Sequence, residues 1–97
     1  MTFEVLVEVR LRPGIADPQG ATVERALPAL GFDGVASVRM GKAIRLTVDA
    51  PDEDGAAETA RAVADRLLAN PVIERFAVTV VGPVDPSPAP TGNGAAP

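Results

Sequence analysis

From Phe3 to Leu11 the chain alternates: Phe3, Val5, Val7, Val9 and Leu11 fall on one side, Glu4, Glu8, Arg10 and Arg12 on the other. Successive side chains of an extended backbone point to opposite faces, so this period of two marks a strand with one buried face. Leu6 interrupts the polar side and is a candidate subunit contact on the second face of the sheet. Pro13-Gly14 ends the strand. A half-buried sheet comes first, and the rest of the chain has to cover it.

The next segments supply the cover. Asp17-Pro18-Gln19-Gly20 has the layout of a helix start, with Asp as the cap that accepts from orphan backbone N–H groups and Pro at the first helical position. Val23, Leu27 and Leu30 follow at helical spacing; Pro28 should loosen the last turn, and Gly31 is the natural C-cap. Ala36, Val38 and Met40, then Ile44, Leu46 and Val48, alternate with polar neighbours on either side of Gly41-Lys42. This predicts two short strands joined by a Gly-led hairpin turn, or one long strand bent there.

Pro51-Asp52-Glu53-Asp54 opens a second helix with acids at the positive end of its dipole, and Ala56, Ala60, Val63, Ala64, Leu67 and Leu68 form its apolar stripe. Asn70 is read as a left-handed C-cap and Pro71 forbids continuation. A last strand runs from Val72 to Val81, with Phe76, Val78 and Val80 on one face. Together these predict an α+β two-layer sandwich: a mainly antiparallel sheet of three to four strands with two helices on one face, in ferredoxin-like β-α-β(-β)-α-β order. The folded domain is expected over residues 1–81, followed by a disordered Pro/Ala/Gly-rich tail over 82–97 that holds five of the ten prolines.

Composition narrows the chemistry. The chain has no Cys, His, Tyr or Trp, so thiol catalysis, thiolate zinc sites and the commonest general base are all absent. A formal charge of -4, with eight scattered arginines and a single lysine, argues against a nucleic-acid partner. No apolar run has the length of a membrane span, and the acids in MTFEVLVEVR do not suit a signal peptide, so a cytoplasmic protein is expected. About 80 folded residues bury only roughly 60% of their unfolded-chain surface, which favours a partner or self-association.

Gly41-Lys42 is not a phosphate loop. Gly34 is one residue pair too far upstream, Ala43 stands where a magnesium-binding hydroxyl belongs, and the context is strand to strand. Asp49, Asp52, Glu53 and Asp54 lack the spacing of a calcium loop and suit a helix start. Ser37 has no histidine to activate it. Three functions then compete: an accessory subunit of a larger enzyme, an ACT-like small-molecule-binding regulatory domain, and a stand-alone enzyme. The missing catalytic set and small size favour the first.

Three segments taken together, Asp17-Pro18-Gln19-Gly20, Val38-Arg39-Met40-Gly41-Lys42 and Leu67-Leu68-Ala69-Asn70-Pro71-Val72-Ile73-Glu74, resemble in order and spacing the PurS family, the small subunits of phosphoribosylformylglycinamidine (FGAM) synthase. The resemblance runs from Phe3 to Val81. It implies a non-catalytic subunit in purine biosynthesis that supports assembly of a large synthetase (PurL) with a glutaminase (PurQ) and the passage of ammonia between them. It also implies a homodimer or a pair of dimers, no cofactor bound by this chain, and ATP and Mg used by the synthetase. Carried over by position, Arg39, Gly41 and Lys42 are expected at a partner interface, which Leu6 joins from the strand pattern alone. Asp17, Pro18, Gln19, Gly20, Asn70, Val72, Ile73 and Glu74 are expected to be structural.

Overall fold

A computed structural model describes residues 1–84. The elements are β1 (Thr2–Leu11), α1 (Pro18–Ala26), a 3-10 turn (Pro28–Leu30), β2 (Gly41–Asp49), α2 (Glu53–Val63), a π turn (Ala64–Leu68) and β3 (Glu74–Pro83). The sheet has three antiparallel strands in the order β2-β1-β3. The most strongly alternating segment of the sequence is thus the central strand. Its Val5, Val7 and Val9 are fully buried, and each such burial stabilises by roughly 1.5–3 kcal/mol.

Ile44, Leu46 and Val48 lie on the same face of β2, and Phe76, Val78 and Val80 on that of β3. The cover is α2 with the turn that continues it, whose Ala56, Ala60 and Ala64 have no exposed surface. Alanine at every fourth position leaves no bulk between helix and sheet, so the helix lies close against the valines. Asp52 caps it by accepting from Gly55 N at 2.7 Å.

Past Val63 the turn widens, and Ala69 N donates to Ala64 O, five residues back, at 2.9 Å. The extra residue in this turn carries Leu68 onto the core and turns Leu67 out, 79% exposed. A uniform 3.6-residue period had placed Leu67 in the buried stripe, so that assignment is corrected.

Two further expectations change. Val35–Met40 forms no strand, and Gly41-Lys42 opens β2 instead of turning a hairpin. The β1–β2 ladder ends at Arg10↔Gly41, just before Pro13 stops β1, so the preceding residues have no strand to pair with. Gly41 is needed for closeness, since a Cβ there would lie 2.8 Å from Val9 O. Ser37 in this segment takes a left-handed backbone conformation, at φ 60.

Asn70 is not left-handed. Its side-chain oxygen accepts from Val72 N at 3.1 Å, and its carbonyl accepts from Ile73 N and Glu74 N, an Asx turn that delivers the chain into β3. Val72 and Ile73 belong to this turn, and the strand starts at Glu74. At its other end β3 continues through Gly82 and Pro83, past the expected domain boundary, because β1 begins at Thr2 and its carbonyl accepts from Val84 N at 2.8 Å. The rest of the predicted tail lies outside the described residues.

Candidate functional site

The three sequence segments, far apart in the chain, meet at one end of the sheet. Asp17 is the junction. Its Oδ1 accepts from Gly20 N at 2.9 Å, which is the predicted helix cap, and its Oδ2 accepts from Met40 N at 2.7 Å. These two N–H groups, Gly20 first and then Met40, hold the Asp17 carboxyl below its ordinary value of 3.8; desolvation opposes them and the Arg39 charge adds to them.

The contact of α1 is with the 38–40 segment. Glu24 Oε1 accepts from Val38 N at 3.0 Å, and Gly20, the single buried residue of α1, lies where any Cβ would collide with the Val38 carbonyl. A helix face of Asp17, Gly20 and Glu24 therefore takes the place of a paired strand. The cost is apolar exposure: Val23 and Leu30, expected in the core by their spacing, are 40% and 69% exposed. Pro28 has the predicted effect. It has no N–H for Glu24 O, which accepts from Leu27 N at 3.4 Å instead, and Gly31 closes the turn at φ 96.

Three cations tie the remaining chain ends together through backbone carbonyls. Arg39 donates to Ile15 O at 3.0 Å and Arg12 O at 3.4 Å; Lys42 Nζ donates to Leu68 O at 3.3 Å; Arg12 donates through Nε and Nη2 to Pro71 O at 3.2 and 3.0 Å. Glu74 Oε1 accepts from Asn70 N at 2.7 Å. A cavity of about 390 Å³ lies among them, walled by Asp17–Gln19 from the first segment, Gly41 and Lys42 from the second and Glu74 from the third.

Of the predicted site residues, Asp17, Pro18, Gln19, Gly20, Arg39, Gly41, Lys42, Asn70 and Glu74 are brought together here. Ile73 joins through its carbonyl, which accepts from Arg12 N at 2.8 Å, while the Val72 side chain stands 78% exposed at the rim. Leu6 is elsewhere, half-buried on the open sheet face between Arg45 and Thr79. Sequence reading did not single out Arg12 or Glu24. Both look like ordinary surface charges, and only the fold turns their side chains onto backbone. Every charged group of the site is occupied with main-chain partners, which makes it a device for holding loops. No cluster of three or more potential metal ligands occurs among the described residues.

Comparison with known proteins agrees with this geometry. The family model described as PurS: Phosphoribosylformylglycinamidine (FGAM) synthase matches residues 4–82. The PurS subunit of the Synechocystis synthase is 45% identical over 75 residues, covering 77% of this chain and 75% of that one. Among solved structures, the PurS subunit of Thermotoga maritima superposes with a TM-score of 0.78 at 33% identity, covering 84% of this chain and 93% of that chain. A chain in the PurLQS structure of the same organism gives 0.77 at 33% identity, covering 84% and 99%. The family model spans all three converging segments, and the chain belongs to the PurS family of phosphoribosylformylglycinamidine synthase subunits.

Proposed function

We propose that this chain is the small accessory subunit of a cytoplasmic FGAM synthase, assembling with a PurL-type synthetase and a PurQ-type glutaminase and contributing no catalytic group. The synthetase would use ATP and Mg to convert formylglycinamide ribonucleotide to FGAM with ammonia released from glutamine by the glutaminase. The observation that carries this reading is the family match over residues 4–82, joined to a site whose polar side chains are spent on positioning loops. A relative found in a PurLQS structure supports the two partners. The open edges of β2 and β3, and the exposed Val23, Leu30, Phe32 and Val35, support self-association into a homodimer or a pair of dimers.

Such a subunit works by closure. Ammonia in water at neutral pH is mostly ammonium, which is no nucleophile, so a route sealed from solvent between two active sites preserves the reactive form. Arg39 and Lys42, with Gly41, hold the loops that would face a partner. The test is reconstitution of the synthase from purified subunits with and without this chain, assayed with glutamine and with ammonium salts. Addition of the chain should raise glutamine-dependent turnover strongly and ammonium-dependent turnover much less. Equal glutamine-dependent rates without it would refute the proposal, and tight amino-acid binding by the chain alone would favour the ACT-like reading.

A further inference from the structure

The strand register sorts the charges by end. Arg10 and Arg12 at and just past the end of β1, Arg39 and Lys42 just before and at the start of β2, Arg66 in the π turn and Arg75 at the start of β3 share one end of the molecule. Asp49, Asp52, Glu53 and Asp54 share the other, where the N-terminal ammonium lies 3.4 Å from Asp49. A chain of net charge -4 thus keeps a cationic end.

Most charges at that end are occupied. Arg12, Arg39 and Lys42 donate to carbonyls, while Asp17 and Glu74 accept backbone N–H groups. Arg10 and Arg75 are different. They are direct partners across β1 and β3, so their exposed side chains stand together on the sheet face away from α2. Among the described residues neither makes an ion pair. Glu8 is the nearest acid on that face, one row along between Ala43 and Ala77, and it too makes no ion pair among the described residues. Two like charges directly opposite in a sheet are destabilising, so the isolated fold gains nothing from the pair. A cavity of about 360 Å³ opens on the β2 side of Arg10, lined by Glu8, Arg10, Arg39, Gly41, Lys42 and Ala43, with Arg75 outside its lining.

We propose that the Arg10–Arg75 pair docks an acidic surface of a partner subunit, with carboxylates received between the two guanidinium groups. This rests on the accessory-subunit reading and names the surface and the partner chemistry. Guanidinium forks match carboxylate geometry, and strand register keeps the two arginines side by side. The partner is a different chain. The acidic end of a second copy would make a head-to-tail contact, which builds rings or filaments and not the two-fold contact of a homodimer. A nucleic acid is disfavoured by the net negative charge and the missing Tyr and Trp.

The test compares wild type with an Arg10→Glu, Arg75→Glu double variant and an Arg10→Lys, Arg75→Lys double variant, all as full chains. Binding to the purified synthetase and glutaminase subunits is measured at low and high salt. Circular dichroism establishes that each variant is folded, which is expected because both side chains are exposed. Charge reversal should weaken assembly by at least about tenfold at low salt, the lysine pair, which keeps the charge and loses the fork, should fall between wild type and the reversed variant, and the differences should shrink at high salt. Wild-type affinity of the reversed variant at low salt would overturn the proposal. So would salt-sensitive filament growth of the chain alone, or oligonucleotide binding that depends on the two arginines. If wild type itself gives no glutamine-dependent stimulation, the accessory-subunit reading fails first; stimulation that persists in the reversed variant refutes only the docking surface.

Discussion

Gly20→Ala separates helix propensity from the contact that α1 makes. Gly20 is the third residue of α1 after the Asp17 cap, and alanine inside a helix is normally favoured over glycine by about 1 kcal/mol. Here the added Cβ would collide with the Val38 carbonyl and stand 2.8 Å from Asp17 Oδ2. Both neighbours are held: Val38 N donates to Glu24, and Asp17 Oδ2 accepts from Met40 N. Relief therefore requires the helix to move off the segment. Overpacking costs about 1–3 kcal/mol, and a clash with held main chain belongs to the upper part of that range, about 2–3 kcal/mol, so it outweighs the propensity gain.

Gly55→Ala is the matched control, because Gly55 is the third residue of α2 after the Asp52 cap. Its added Cβ would meet Asp52 Oδ1 at 3.2 Å and Pro51 Cδ at 3.4 Å, close but not overlapping, so propensity and crowding nearly cancel. Thermal unfolding at one fixed protein concentration should show Gly20→Ala lowered by roughly 4–16 °C for a net loss of about 1–2 kcal/mol, and Gly55→Ala within a few degrees of wild type. Hydrogen exchange at Met40 N should speed up in Gly20→Ala alone. A Gly20→Ala protein as stable as wild type, with Met40 N still protected, would refute the packing of α1 on the 38–40 segment.

The Asp17 carboxyl sits below its ordinary value, so its contribution is present at neutral pH and is lost as the pH falls through the depressed folded value. Urea unfolding of wild type should weaken on acidification, and Asp17→Asn should flatten that part of the profile. Val7→Ala removes two methyl groups from a fully buried site flanked by Ile44 and Val78 and should cost about 2–3 kcal/mol in chemical denaturation. Lys42→Met removes an exposed bond to Leu68 O. It should change global stability by less than about 1 kcal/mol while raising hydrogen exchange around Ala69.

Where one physical rule dominated a segment, the sequence was enough. β1 reads as a strand because burial on one face leaves a period of two, and Asp17, Asp52, Pro28 and Gly31 act locally on their own backbone. The misreadings arose where distant parts of the chain decide. Val35–Met40 has the pattern of a strand, but β1 stops at Pro13 and leaves it no partner. Leu67 obeys a 3.6-residue period that the π turn abolishes. Asn70 has two ways of ending a helix, and Pro71 with Glu74 selects the Asx turn. The family segments were legible as strings, yet their meeting at Asp17 was not, since nothing local links Asp17 to Met40 or Arg12 to Pro71.

That meeting gives the recognisable motifs a positional role. Asp17, Glu24, Arg12, Arg39, Lys42, Asn70 and Glu74 all bond to main chain, so each substitution among them changes where a loop lies before it changes any chemistry. The load falls on one small core of valine and alanine, in which β1 is held by both neighbours and α2 by close approach alone. A domain built this way has little stability to spare, and its outer surfaces, the apolar edge of α1 and the paired arginines of β1 and β3, are features the isolated fold does not need. An assembly of the kind proposed would offset their cost, and its test lies in what the described monomer leaves uncovered.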